Sequence, residues 1–256
     1  MIYSAGVLRG PFCCALVSAL LAASFSQSEC SAADQKPLRI VAFGDSTTAT
    51  RDTIKAVYAQ RLAAELPKRG LAAEIINAGI GGNTTADAMA RFQRDVVDRK
   101  PDLVIMQFGL NDASVDVWKD RKLTTTRVAL EKYRDNLRQM ISQLKDRKVR
   151  VILMTPNPMC WTPRMREIYG HPPYDPKDPQ GFNVLVKDYA AAAREVAREQ
   201  GVTLVDVHEN YQQHAKDPRR SLATLMPDGI HPNDQGQEII TELLIPEIIK
   251  ARREAK

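Results

Sequence analysis

Five short runs rich in β-branched and other apolar residues recur along this chain, and the stretches between them carry apolar residues at helical spacing. The runs cover residues 38–43, 74–76 (ending at Asn77), 102–107, 150–154 and 202–207. The intervening periods predict helices over 54–68, after Thr84, over 124–148, around Phe182 to Val196 with a stop at Gly201, and after Asn233, a good N-cap. The clearest is 124–148, where Leu130, Tyr133, Leu137, Met140, Ile141 and Leu144 repeat at three and four. Strands that are apolar throughout, rather than alternating, imply burial on both faces. Strand–helix alternation then predicts an α/β fold with a parallel sheet covered on both sides. In such sheets ligands bind beyond the carboxyl ends of the strands, so the functional residues should lie just after the apolar runs.

The chain of 256 residues, 44% hydrophobic and 26% charged, is long enough for one domain with a full core. Its first 33 residues read differently. Arg9 precedes an apolar run over 11–25, and small polar residues follow to Ser31-Ala32-Ala33. That is the order of a secretory signal peptide, with a cut after Ala33, and the run is shorter than the roughly 20 residues of a spanning helix. The expected organisation is a signal peptide over 1–33 and a single domain over 34–256, secreted or periplasmic. Cys30 raises a lipoprotein alternative, but Gln27-Ser28-Glu29 before it lacks the small apolar residues lipidation expects. Removing the leader takes away Cys13, Cys14 and Cys30 and leaves Cys160 alone, so the domain must stand on its core and not on an internal disulfide. The net charge of +5 is spread along helices and turns without interleaved aromatics, which argues against nucleic acid as a partner. The histidines are dispersed, without metal-ligand spacing, so neither metal nor cofactor is expected.

Four motifs fall where the ligand edge should be: Gly44-Asp45-Ser46, Gly79-Ile80-Gly81-Gly82-Asn83-Thr84, Gly109-Leu110-Asn111-Asp112, and Asp228-Gly229-Ile230-His231-Pro232 before the last helix. Acyl transfer needs an exposed nucleophile, a base, a group to orient the base, and donors for the oxyanion. Ser46 at a strand-to-helix turn suits the first. Of four histidines, His231 alone has a carboxylate, Asp228, three residues earlier in a turn. Ser46 and Gly82 can offer backbone N–H groups and Asn111 a side-chain amide as oxyanion donors. Asp45 and Asp112 invite functional roles, the first shaping the nucleophile turn and the second supporting Asn111 by a hydrogen bond, but a structural role is the expectation for both. The sequon Asn83-Thr84-Thr85 overlaps the expected oxyanion turn, where a glycan would block the site.

These motifs resemble the four blocks of the SGNH, or GDSL-type, hydrolase superfamily, with Thr47 in place of the common leucine. The resemblance spans about residues 38–249. It implies Ser46 as nucleophile, Asp228 and His231 completing the triad, Gly82 and Asn111 as oxyanion donors, and a three-layer α/β/α flavodoxin-like fold. Its five parallel strands would run in the order 2-1-3-4-5.

No Gly-x-Ser-x-Gly elbow and no phosphate-binding Gly-x-x-x-x-Gly-Lys loop occur, and Cys160 has no assigned base. Seven prolines between Pro156 and Gly181, with Trp161, Tyr169 and Tyr174 among them, make a long loop on the functional edge, read here as a substrate-facing wall or lid. Aromatic faces and export favour an acetyl or other short-chain ester, possibly on a carbohydrate. Lysophospholipase, thioesterase and acyltransferase activities use the same residues, and a glycan-binding module without catalysis is the non-enzymatic alternative.

Overall fold

The computed structural model describes residues 36–217 and 219–254; the leader expected over 1–33 lies outside them. Five strands, β1 (Leu38–Gly44), β2 (Ala73–Gly79), β3 (Leu103–Gln107), β4 (Arg150–Met154) and β5 (Thr203–Val205), form one parallel sheet in the order β2-β1-β3-β4-β5. The helices are α1 (Tyr58–Lys68), α2 (Thr85–Asp95), α3 (Leu130–Asp146), α4 (Pro163–Tyr169), α5 (Val186–Gln200), α6 (Val207–His214), α7 (Leu222–Leu225) and α8 (Asp234–Arg253). This is the α/β architecture and strand order expected above.

The two-residue period of a strand divides the core into two layers. Val41 and Phe43 of β1 and Val104 and Met106 of β3 join the layer built with α2, α3 and α5. Leu38, Ile40 and Ala42 of β1 and Leu103 and Ile105 of β3 join the other, against α1 and α8. The register decides where function can sit. Gly44 pairs with both Gly79 and Gln107, Gln107 with Met154, and Met154 with Val205, so all five strands stop on one edge. Every motif loop that follows a strand therefore starts from the same line.

Element ends depart from the sequence reading where side chains from elsewhere capture the backbone. Helix α1 begins at Tyr58, not Ile54, because Asp234 accepts from Lys55 N–H and Gln237 accepts from Tyr58 N–H. Helix α3 begins at Leu130, not Thr124: the N–H groups of Arg127 and Val128 donate to the carbonyls of Ser114 and Asp112, outside any helix. Strand β5 ends at Val205, and Asp206 caps α6 by accepting from Glu209 N–H at 3.1 Å. The Pro-rich segment 156–181 is not all loop; Thr162 caps α4, whose first residue is Pro163. Among the described residues no helix is long and apolar enough to cross a membrane.

Ile105, in the central strand, is fully buried. Ile105→Ala is expected to cost about 2–5 kcal/mol of unfolding free energy. Urea titration should show a lower midpoint with an unchanged slope, and an unmoved midpoint would contradict this placement.

Candidate active site

The Ser46 turn is built from the end of β1. The Asp45 carbonyl accepts from the N–H groups of Thr48 (3.2 Å) and Ala49 (2.9 Å), while Asp45 Oδ1 accepts from Thr47 N–H at 2.9 Å. Neighbouring elements clamp the turn: Gln237 Nε2 of α8 donates to the Thr47 carbonyl, Thr48 Oγ1 lies 2.9 Å from the Tyr58 hydroxyl of α1, and Asn77 Nδ2 of β2 donates to the Thr48 carbonyl. Gly79 is required here, since a Cβ on it would stand 2.3 Å from Ala49 N. Thus a glycine on β2 lets the turn on β1 fold down against the sheet edge.

His231 arrives on the loop before α8. Asn233 caps that helix by accepting from Gly236 N–H, and its own N–H donates to the Leu225 carbonyl. Asp228 Oδ1 accepts from the backbone N–H groups of Ile230 (2.9 Å) and His231 (2.7 Å), folding 228–231 into a turn. Asp228 Oδ2 lies 2.8 Å from His231 Nδ1, and His231 Nε2 lies 2.8 Å from Ser46 Oγ. The structure thus brings Ser46, His231 and Asp228 into one hydrogen-bonded line, 185 residues apart in sequence at the Ser–His contact.

Gly82 and Asn111 stand beside this line, lining the same cavity as Ser46 and His231. Gly82 has φ +77°, a left-handed conformation that favours glycine. Among the described residues, neither the Ser46 nor the Gly82 N–H has a backbone acceptor. Asn111 Nδ2 donates to the Asn83 carbonyl at 3.1 Å and more weakly to Asp45 Oδ2 at 3.4 Å. Asp112 has the structural role expected of it and does not support Asn111. Its Oδ1 is taken by the N–H (2.9 Å) and hydroxyl (2.5 Å) of Thr85, which fastens the start of α2. The groups that do hold the Asn111 amide are Asn83, Asp45 and Arg127, whose Nη1 donates to Asn111 Oδ1 at 3.1 Å.

The cavity has a volume of about 340 Å³, and Met159, Tyr169, Tyr174, Phe182 and Ile230 form its apolar wall. Tyr169 and Tyr174 are where the sequence suggested an aromatic wall. Trp161 is not on the lining; it stacks flat on Phe182 at 4.5 Å and donates from its ring to the Asp178 carbonyl. Its effect on the cavity passes through Phe182. Arg127, Ser114, Phe182 and Met159 also line or reach the site without any motif to announce them. Arg127 in particular was hidden in a stretch whose spacing reads as helix.

Asp228 is half-buried, which by itself would raise its pKa, but the hydrogen bonds from the His231 ring and from the two backbone N–H groups overcome this and hold the carboxyl at about 2. Burial pushes the Asp45 carboxyl up to about 6 against the pull of Thr47 N–H, and does the same to Asp112 against its bonds from Thr85. The Cys160 thiol is pushed up to about 11 by burial and points at the Met226 carbonyl, so it is a poor nucleophile. His208 is buried on α6, and burial lowers its pKa, as for a structural neutral imidazole. Among the described residues no group of three or more His, Cys, Asp or Glu side chains could hold a metal ion.

A raised carboxyl has a definite sign. Folded Asp45 keeps its proton up to about pH 6, whereas the ordinary aspartate value is 3.8, so the folded state holds more protons between them and stability falls as pH rises through that window. Asp228 acts oppositely and lower, its contribution being lost as pH falls from 3.8 through about 2. Asp45→Asn keeps an acceptor for Thr47 N–H and removes the titration. Urea unfolding at several pH values between 4 and 6 should give a shallower decline for Asp45→Asn than for wild type. Parallel curves would contradict the shift.

Comparison with known proteins agrees with this fold. The family model for the GDSL-like lipase/acylhydrolase family matches residues 42–239. An uncharacterized lipoprotein of Bacillus subtilis is 31% identical, the match covering 79% of this chain and 86% of that protein. An acetylxylan esterase of Geobacillus stearothermophilus is 29% identical over 73% of this chain and 76% of its own length. The solved lipase/acylhydrolase of Enterococcus faecalis superposes with a TM-score of 0.64 and 28% identity, covering 82% of this chain and 95% of that one. The chain belongs to the GDSL-like lipase/acylhydrolase family and, with it, to the carboxylic ester hydrolases.

Proposed function

We propose that Ser46, His231 and Asp228 hydrolyse a short-chain acyl ester through an acyl-enzyme. The observation that carries this reading is the unbroken line of two 2.8 Å contacts, Asp228 Oδ2 to His231 Nδ1 and His231 Nε2 to Ser46 Oγ, opening on the cavity. An Asp228 carboxyl held at about 2 is ionised at neutral pH and can only accept, so it draws the imidazole proton to Nδ1. Nε2 is then free to take the Ser46 proton as Oγ attacks the ester carbonyl, and to return it to the leaving alcohol. Water repeats the sequence on the acyl-enzyme. The oxyanion would be met by the Ser46 and Gly82 N–H groups and by Asn111 Nδ2, which can exchange its long contact to Asp45 for the developing charge.

Cavity size favours a small acyl group. At about 340 Å³ the site lies at the low end of the roughly 300–1,000 Å³ typical of ligand pockets. Met159, Tyr174 and Phe182, all buried, close it against a long chain. An acetyl ester is therefore the proposed substrate, with a carbohydrate as its alcohol. Tyr169 at the cavity wall and the similarity to an acetylxylan esterase support that choice. Lysophospholipid and thioester substrates, and transfer to a sugar hydroxyl instead of water, use the same groups and are separated from it by product analysis. Export is part of the same proposal: the leader pattern over 1–33 supports release of a domain starting at Asp34.

Ser46→Ala removes one oxygen that faces the cavity, so hydrolysis of p-nitrophenyl acetate should vanish while the unfolding curve is retained. Among acetate, butyrate and octanoate esters, wild type should prefer acetate, and acetylated xylan should release acetic acid. A variant as active as wild type would remove Ser46 from the mechanism; octanoate preference would overturn the short-chain reading. Asn111→Ala should lower kcat by about 10²–10³-fold with little change in KM, as for a donor acting on the transition state. N-terminal sequencing of the exported protein should begin at Asp34, and a lipidated Cys30 or an intact Met1 would refute the proposed cleavage.

A further inference from the structure

Between β3 and α3 the chain crosses from Phe108 to Ala129 without a long helix, and it returns to the site at Arg127. The return is fixed by backbone bonds, Arg127 N–H to the Ser114 carbonyl at 3.0 Å and Val128 N–H to the Asp112 carbonyl at 3.2 Å. The Arg127 guanidinium is then held from one side by Asp116 Oδ1, which accepts from Nε at 2.9 Å and Nη2 at 2.6 Å. Its Nη1 donates to Asn111 Oδ1 at 3.1 Å, and the side chain lines the cavity.

We propose that Arg127 is a positioning residue for the Asn111 amide: it fixes which end of the amide faces the reacting ester and strengthens that end as a donor. The proposal rests on the oxyanion role given above to Asn111. A guanidinium has donors and no acceptor, so the atom of Asn111 facing Arg127 must be Oδ1. The Nδ2 protons are thereby turned toward Asn83, Asp45 and the cavity. Without Arg127 only the Asn83 carbonyl and the long contact to Asp45 would hold this orientation, and a flipped amide would set its oxygen where the oxyanion forms and repel it. A positive charge on Oδ1 also draws electron density from nitrogen, making its N–H groups better donors to an anion. Asp116 anchors the guanidinium and is itself shared with Lys119 Nζ at 2.7 Å, so the fork keeps its place when the cavity is empty.

The test is a double-mutant cycle on the full chain with p-nitrophenyl acetate, a neutral ester that offers Arg127 no charge to bind. Arg127→Met keeps an unbranched apolar stem and deletes the donors. It should lower kcat by roughly 10-fold or more, short of the 10²–10³-fold cost of deleting an oxyanion donor, with KM changed by less than about twofold. In an Asn111→Ala background the same substitution should cost nothing further, since Arg127 then has no amide to hold. Arg127→Lys, with a point charge in place of a fork, should recover only part of the loss. If Arg127→Met does not fold by circular dichroism, Asp116→Asn loosens the guanidinium instead and should give a smaller loss confined to kcat. Unchanged kcat, an equal loss with and without Asn111, or a rise in KM alone would overturn the proposal. The esterase reading fails separately, if wild type and Ser46→Ala are equally inactive.

Discussion

The site depends on how closely the Ser46 turn can approach the carboxyl end of β2. A side chain on Gly79 would fall inside the Ala49 backbone, so any larger residue there pushes the turn off the sheet edge. With that approach allowed, Asn77 and Gln237 take the carbonyls of Thr48 and Thr47, and the serine is held between β2 and α8. The α8 contact also ties the serine to the histidine loop, because the cap of that helix lies two residues beyond His231. One close packing contact therefore sets the distance over which the proposed proton transfer must occur.

Around that contact the charges are arranged unequally. Asp228, fed by three hydrogen bonds, is held ionised, while Asp45 and Asp112 sit buried a little further from the cavity and are pushed toward the neutral form. The carboxylate that must balance an imidazolium is the one the fold keeps charged. A buried cation does structural work nearby. Arg91 of α2 donates to the carbonyls of Gly44 and Ala78 and to Asn83 Oδ1, and lies over the Phe43 ring. It joins the ends of β1 and β2 to the turn that carries Gly82. Removing Arg91 would loosen all three ties and leave the Gly44 carbonyl with its bond from Ile80 N–H.

Legibility followed physical range. Strands β1, β3 and β4 were readable because burial on both faces leaves a continuous apolar run, and β4 matches its expected ends at Arg150 and Met154. Gly201, left-handed at φ +62°, and Asn233 at the start of α8 were readable because caps are local chemistry. The start of α3 was not, because the bonds that divert Arg127 and Val128 come from residues 13 and 16 positions away. The partner of Asp112 is not legible either, because Thr85 lies 27 residues away at the start of α2. Trp161 shared a segment with Tyr169 and Tyr174, but only packing decides that it lies against Phe182 and not on the cavity lining.

The sequence by itself determined the class of fold and the chemical inventory: strands from apolar runs, loops from glycine and asparagine, and an aspartate three residues before a histidine. These are properties of neighbours along the chain, and periodicity and turn chemistry report them directly. Tertiary structure decided the rest. It closed the 185-residue gap between Ser46 and His231, chose the partners of the Asn111 amide, and set the cavity at about 340 Å³. Distances between segments depend on how the sheet edge and helices pack together, and no local pattern encodes that sum.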